Sequence, residues 1–231
     1  METFLPVSPV DLDVLRAILT SSWLIRSSGV LADDLARVAV LPFQPSDRPG
    51  YMAALILDWP DARQFQPLLY VDTGTVFDSD VAPMLRAVAI SDRIAAPMEL
   101  LSPLAANPAL GATLQRDFCS PGYMAGFNTG TLGIPNLRAH AETLRLIRRM
   151  IMNHSALHGR MALPYVDQEM ANYVSFRLTQ FDTGLISRFV RFAGADVPIA
   201  NGCGLVHFWP VRGAAARAQA MRDYLARLRA G

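Results

Sequence analysis

The chain has 231 residues, of which 52% are hydrophobic and 18% are charged, and its formal net charge is +1. This composition predicts one compact globular domain and excludes disorder over most of the length, because disordered chains are poor in apolar residues and strongly charged. All 21 basic residues are arginine, which excludes Schiff-base lysine chemistry and a lysine phosphate clamp.

The first half of the chain alternates predicted strands and helices. A short apolar strand at Thr3–Val7 precedes a helix that begins near Asp11, whose side chain suits the N-cap position. The hydrophobic pattern then predicts strands at Arg37–Leu41, Leu68–Val71 and Arg93–Met98, and helices at Tyr51–Leu57 and Val81–Val88.

The second half contains the clearest helical pattern, which follows Pro135–Asn136 and places its apolar residues on one face. That face holds Leu137, His140, Leu144, Ile147 and Ile151. Further helices are predicted from Asp167 to about Leu178 and over Gly213–Ala230, and strands at Met124–Phe127, Thr131–Ile134, Arg188–Phe192 and Leu205–Trp209. Strands separated by helices predict an α/β fold with a mostly parallel sheet flanked by helices.

In such sheets ligands bind beyond the carboxyl ends of the strands, so the residues that follow each strand are candidates for a site. Leu68–Val71 ends at Asp72, which either ligates a hard cation that bridges a diphosphate or caps the next turn together with Gly74. The small residues of Asn128–Gly130 either let a ligand approach the backbone or form a hairpin turn.

Two other polar residues have an ordinary structural interpretation beside the functional one. Asp167 opens a helix, where an aspartate is more often an N-cap than a catalytic group. His207 lies in an apolar strand, where a histidine is more often a hydrogen-bonded core residue than a ligand.

The two cysteines, Cys119 and Cys203, are too few for a disulfide framework or a four-thiolate zinc site, which favours a reducing compartment. The first 15 residues contain three acidic residues and no basic one, unlike a secretory signal. Polar residues, glycines and prolines interrupt the longest uncharged run, Phe118–Leu137, which argues against a membrane span. We therefore expect a cytoplasmic protein.

Four short segments follow one another along the chain: an aspartate after a strand (LLYVDTG), FNTG leading into a long helix, a DQ helix with Asn172, and a late VHF. In this order they resemble glycosyltransferase family 8, the glycogenin and lipopolysaccharide galactosyltransferase type of GT-A transferase. The resemblance covers roughly Thr3 to Gly213. It implies a GT-A-like domain over residues 1–213, followed by a C-terminal basic helix over 214–231. The implied activity is transfer of a sugar, with retention of configuration, from a nucleotide-diphosphate donor, with UDP the expected nucleotide.

The resemblance also implies roles for individual residues. In the family a divalent metal, Mn²⁺ or Mg²⁺, binds the diphosphate and is held by an Asp-x-Asp motif and the late histidine. Asp72 and His207 match these metal ligands, while Asp167 and Gln168 match the catalytic pair near the anomeric carbon. The matching donor-binding residues are Asp11, which would accept the uracil N–H, and Asp72, Thr73, Asn128, Thr129 and Gly130.

The chain also departs from the family pattern at the diphosphate. Gly74 stands where the family has its second carboxylate, which removes oxygen ligands and a negative charge from a metal site. A literal Asp-x-Asp at 78–80 is an alternative source of ligands, although Asp80 better matches a structural aspartate before the next helix. The family also has a lysine six residues after the late histidine, a position that is Gly213 in this chain. Arg212, one residue earlier, is our candidate phosphate clamp.

These departures leave three hypotheses open: a transferase with a degenerate metal site, a catalytically inactive relative that binds a partner, and a metal-independent transferase in which Arg212 supplies the charge. The expected partners are a nucleotide-sugar donor and a glycan, lipid or protein acceptor of polysaccharide or glycan synthesis, and not nucleic acid. The C-terminal stretch 212–231 has five arginines and one aspartate. It either packs on the domain or contacts an anionic membrane surface peripherally.

Overall fold

A computed structural model of the chain describes residues 56–58, 62–63, 66–72, 74–99, 126–158, 167–178, 180–193 and 204–230. The predicted strands at Thr3–Val7 and Arg37–Leu41, the helix from Asp11 and both cysteines lie outside these residues. The strands are β1 (Leu68–Val71), β2 (Thr75–Phe77), β3 (Ile94–Ala95), β4 (Thr131–Ile134), β5 (Phe181–Asp182), β6 (Val190–Phe192) and β7 (Leu205–His207). The helices are α1 (Ala82–Ala89), α2 (Leu137–His158), α3 (Asp167–Leu178) and α4 (Ala214–Ala230), with a 3₁₀ turn at Ser187–Phe189.

The described residues fall into two compact units. Unit 1 contains those of Val71–Met84 and Arg188–Gly231, and unit 2 contains those of Gln44–Tyr70 and Leu85–Ser187. Each unit has its own buried apolar cluster. In the described part of the chain no helix combines the length and the apolar character needed to cross a lipid bilayer.

Unit 2 is built around a four-stranded sheet in the order β1-β4-β3-β5. Strand β3 runs antiparallel to β4, with Ala95 opposite Gly133, and parallel to β5, with Ile94 opposite Phe181. Helix α2 covers this core with the face that the sequence predicted. Its residues Leu137, His140, Leu144, Ile147 and Ile151 are all buried.

Unit 1 contains a three-stranded sheet in the order β2-β7-β6. Strand β7 pairs antiparallel with β2 and parallel with β6. Helix α4 packs against this sheet, and its buried residues Met221 and Tyr224 join one apolar cluster with Val76, Val206 and Phe208. The C-terminal basic segment therefore buries an apolar side within unit 1, as the packed alternative predicted.

The α/β class is confirmed, but the expectation of a mostly parallel sheet is not. Each sheet combines an antiparallel pair with a parallel pair among the described residues. Strands β2 and β5, of three and two residues, were not predicted. Periodicity assigns the type of an element and carries no information about the direction of its partner in the sheet.

Candidate functional site

Four buried polar side chains of unit 2 form one hydrogen-bonded group, which we call the amide cluster: Glu99, Asn128, Gln168 and Asn172. Each has 6% or less of its surface exposed. They come from three separate parts of the sequence, namely the segment after β3, the segment before β4, and α3. The FNTG and DQ motifs that were identified separately in the sequence therefore lie in contact.

Asn172 fastens α3 to the backbone of the FNTG segment. Its side-chain oxygen accepts a hydrogen bond from the Phe127 amide at 2.9 Å, and its side-chain nitrogen donates to the Phe127 carbonyl at 3.0 Å. The same nitrogen donates to the Gln168 carbonyl at 2.8 Å. This two-sided pairing imitates a backbone partner and fixes where the FNTG turn begins.

Gln168 and Glu99 extend the cluster towards the turn itself. The Gln168 side chain accepts from the Thr129 amide at 3.4 Å and donates to Glu99 Oε2 at 3.0 Å. Asn128 donates to the same Glu99 oxygen at 3.2 Å and accepts from the Gly130 amide at 2.8 Å. Burial raises the pKa of the Glu99 carboxyl, and the two amide donors offset only part of that increase.

Asp167 is the half-buried first residue of α3. The Thr129 hydroxyl donates to its Oδ1 at 3.3 Å. The structure thus brings together five residues that the sequence analysis predicted to belong to the site: Asn128, Thr129, Gly130, Asp167 and Gln168. Such a group, with a half-buried carboxylate beside small turn residues, suits recognition of hydroxyl groups on a ligand.

A second group, which we call the Arg217 site, lies in unit 1 and consists of Gly74, His207 and Arg217. The antiparallel pairing of β2 with β7 places Thr75 opposite His207, and the Phe208 amide donates to the Gly74 carbonyl at 2.8 Å. A Cβ on Gly74 would lie 3.7 Å from His207 Cδ2. Burial, reinforced by the charge of Arg217, lowers the pKa of His207 to about 4, so its imidazole is neutral at physiological pH.

Arg217 reaches this position from the first turns of α4. Its Cδ lies 3.1 Å and its Nη1 3.6 Å from the position of a Cβ on Gly74. An acidic side chain at residue 74 would therefore project towards a guanidinium. A divalent metal fits poorly here, because the imidazole that the resemblance assigns to the metal already stands beside a cation. Among the described residues, no group of three His, Cys, Asp or Glu side chains is arranged to hold a metal ion.

The literal Asp-x-Asp sequence at 78–80 serves the structure of unit 1. Asp78 is buried, forms an ion pair with Arg191 and accepts a hydrogen bond from the Tyr224 hydroxyl at 2.8 Å. Burial and the nearby Asp78 raise the pKa of Tyr224 to about 12, so this hydroxyl remains a donor. Asp80 accepts from the Ala82 amide at 2.9 Å and caps α1, in agreement with its predicted structural role. Both carboxylates are thus engaged within the protein.

Four predicted site residues remain, and two of them lie within the described part of the chain. Asp72 is exposed directly after β1, and Arg212 is exposed two residues before α4 begins. Asp11 and Thr73 lie outside the described residues. The donor-binding roles of these four residues stay predictions.

Sequence reasoning missed two residues, Glu99 and Arg217. Glu99 directly follows the predicted strand Arg93–Met98, so the rule that examines residues after strands would have found it. No sequence signal of this kind identifies Arg217, because its proximity to Gly74 depends on the pairing of β2, a strand that was not predicted.

Comparisons with known proteins assign no family to the chain. No protein-family model matches the chain, and no curated protein matches it significantly.

Proposed function

We propose that the chain is a glycosyltransferase-like protein of GT-A type that binds a nucleotide-diphosphate sugar, with UDP the favoured nucleotide. In the proposed reaction the bond between the anomeric carbon and the diphosphate oxygen breaks. A bond from the same carbon to an acceptor hydroxyl forms on the same face of the sugar. The nucleotide diphosphate leaves, and the hydroxyl proton passes to it or to water.

The observation that carries this proposal is the contact between the FNTG turn and the start of α3. Thr129 is hydrogen-bonded to both Gln168 and Asp167, although 38 residues separate it from Asp167 along the chain. The same two motifs carry the resemblance to family 8. A half-buried carboxylate at Asp167 is suited to bind sugar hydroxyls and to stabilise positive charge that develops at the anomeric carbon.

A non-catalytic binding protein is the second candidate, and the hydrogen bonding of the amide cluster favours it. Both ends of the Gln168 amide are used within the protein, as are both ends of the Asn128 amide. A catalytic role for Gln168 requires that it exchange one of these hydrogen bonds for a bond to substrate. A binding protein has no such requirement, because backbone and Asp167 oxygens alone can contact the ligand.

Two measurements on the full chain separate these candidates. Calorimetric titration with UDP, UDP-glucose and UDP-galactose tests binding, and detection of released UDP tests reaction. We expect binding of UDP and slow release of UDP from at least one donor. Asp167→Asn should lower the rate of release about tenfold or more, because it removes the charge that faces the anomeric carbon.

Asp92→Asn is the matched control, since the Asp92 side chain is 93% exposed and lies outside the site. It should leave UDP release unchanged. Binding without release in any donor would favour the non-catalytic candidate. If no nucleotide binds with or without Mn²⁺, the nucleotide-sugar proposal is wrong in both forms.

A further inference from the structure

The solvent side of helix α2 carries one continuous row of exposed residues, which we call the arginine stripe. Its members are spaced alternately four and three residues apart, so they lie on one side of the helix, opposite the buried face. They are Arg138, Glu142, Arg145, Arg149, Met152 and Ala156, and all six are exposed. At the helical rise per residue the stripe is about 27 Å long.

The charge of the stripe is positive, because three arginines face one glutamate. Glu142 forms an ion pair with Arg145, and the exposed fractions of the two side chains are 75% and 44%. An ion pair so exposed is weak, so Arg145 can exchange it for another anion. Arg138 and Arg149 form no salt bridge within the part of the chain that the structure describes.

The position of Arg138 makes this end of α2 more positive still. It lies in the first turn of the helix, which contains no acidic residue. The N-terminus of a helix is the positive end of its dipole, so an arginine there lowers stability slightly and adds to the local positive potential. A ligand that recovers this cost is an anion that contacts the exposed side of α2.

The second half of the stripe is apolar. Met152 is 48% exposed, and Leu157, which flanks the stripe, is 78% exposed. An anionic membrane offers partners for both halves, because its phosphates pair with arginine and its headgroup boundary takes up apolar side chains. A nucleic acid would pair with the arginines alone, since bases stack on aromatic side chains and not on aliphatic ones.

We propose that the arginine stripe, together with Leu157, is a docking surface for an anionic lipid membrane. Helix α2 lies flat on the membrane, with its arginines among the lipid phosphates and with Met152 and Leu157 at the boundary to the acyl chains. Charge complementarity to the lipid headgroups carries this assignment, and the exposed apolar end selects a membrane over other polyanions. The inference does not depend on the proposed function.

Co-sedimentation of the full chain with lipid vesicles tests the surface. We expect binding to an equal mixture of phosphatidylcholine and phosphatidylglycerol, no binding to pure phosphatidylcholine, and weaker binding at high ionic strength. The combined variant Arg138→Gln, Arg145→Gln and Arg149→Gln should bind the mixed vesicles about tenfold or more weakly, because each basic residue at an anionic surface contributes about a fivefold factor. All three residues are exposed, and circular dichroism checks that the variant keeps its helices.

Helix α4 provides the matched control. Arg222→Gln, Arg227→Gln and Arg229→Gln together remove the same charge from exposed positions of the other basic helix, and this variant should bind the mixed vesicles like the wild type. If the α4 variant loses binding and the α2 variant keeps it, the C-terminal helix is the membrane contact and the inference is wrong. Equal losses in both variants would assign binding to the net charge of the chain and would also overturn it.

The apolar end of the surface is tested without a change of charge. Met152→Ser combined with Leu157→Ser should weaken binding to the mixed vesicles about fivefold, because two exposed apolar side chains no longer enter the headgroup boundary. An unchanged affinity of this variant would overturn the flat arrangement of α2. Binding of a single-stranded oligonucleotide by a chain that binds neither kind of vesicle would make the stripe a nucleic-acid surface, and the membrane assignment would be wrong.

Discussion

The amide cluster of unit 2 and the Arg217 site of unit 1 differ in how completely their polar side chains are hydrogen-bonded. In the amide cluster, the side-chain amides of Asn128, Gln168 and Asn172 are each hydrogen-bonded at both the oxygen and the nitrogen. In the Arg217 site, His207 Nδ1 has no hydrogen-bond partner in the described part of the chain, and Arg217 contacts only neutral oxygens there.

This contrast separates two uses of polar residues. Saturated hydrogen bonds contribute to stability and fix one geometry, whereas open groups lower stability and leave capacity for a ligand. We therefore expect substitutions in the amide cluster to change mainly the free energy of unfolding. Substitutions in the Arg217 site should lower this free energy less.

Asn172→Ala should give the largest loss of stability. The change leaves the buried Phe127 amide and carbonyl without their side-chain partner, and each such group costs about 1–3 kcal/mol. We expect the free energy of unfolding, measured by urea denaturation, to fall by about 3 kcal/mol or more. The exposed Asn153 on α2 provides the control, and Asn153→Ala should change stability by less than about 0.5 kcal/mol. A loss below about 1 kcal/mol for Asn172→Ala would mean that water replaces the amide and that the cluster is not closed.

Adding one methyl group to a glycine in each unit sharpens the comparison. At Gly133, in β4, a Cβ would lie 2.4 Å from Cγ2 of Val88, so Gly133→Ala should cost about 1–3 kcal/mol by overpacking. At Gly74 the nearest atom is Cδ of the flexible Arg217, at 3.1 Å, and Gly74→Ala should cost less than about 1 kcal/mol.

A double-mutant cycle identifies the source of the cost at Gly133. Val88→Ala removes the methyl groups that the new Cβ meets, so its combination with Gly133→Ala should be less destabilising than the sum of the two single changes. Equal effects of alanine at Gly133 and Gly74 on the urea midpoint would contradict the view that the sheet of unit 2 is closely packed while the Arg217 site can rearrange.

Much of the helical structure could be predicted from the sequence, because helices α2, α3 and α4 carry periodic patterns long enough to define a face. The bounds of α3, Asp167–Leu178, agree with the prediction, and α4 begins one residue later than predicted. Strands β1 and β4 also have their predicted bounds, Leu68–Val71 and Thr131–Ile134, whereas β2 and β5 were not predicted. The strand predicted at Arg93–Met98 narrows to Ile94–Ala95, followed by an isolated bridge between Met98 and Phe127.

In the candidate site, too, continuous motifs could be predicted and contacts between distant segments could not. The FNTG and DQ motifs could be identified because each is a continuous run of residues, and Asn172, one turn after Gln168, connects them in the structure. The surroundings of Gly74 could not be identified, since they arise from pairing between β2 and β7, in which Thr75 lies opposite His207, 132 residues later in the chain. Local patterns contain no information about such a contact.

The smallest expected effect concerns Glu99, the one carboxylate of the amide cluster. Its pKa is raised because burial disfavours the charged form, so the folded chain binds a proton more readily than the unfolded chain does. The contribution of Glu99 to stability therefore rises as pH falls from neutral through the raised pKa towards 4.5. Glu99→Gln should remove this dependence and raise the free energy of unfolding at neutral pH by about 1 kcal/mol.

Comparison of urea denaturation at neutral and mildly acidic pH checks this expectation. The gain should appear at neutral pH and shrink as the pH approaches 4.5, because protonated Glu99 and glutamine are both uncharged. Glu142→Gln is the control, since the Glu142 side chain is 75% exposed on α2 and should show neither effect. A loss of stability for Glu99→Gln at neutral pH would show that the ionised carboxylate is needed as an acceptor for Asn128 and Gln168. The cluster would then be held by charge-assisted hydrogen bonds, and unit 2 would contain a buried anion, as unit 1 contains the buried Asp78 paired with the half-buried Arg191.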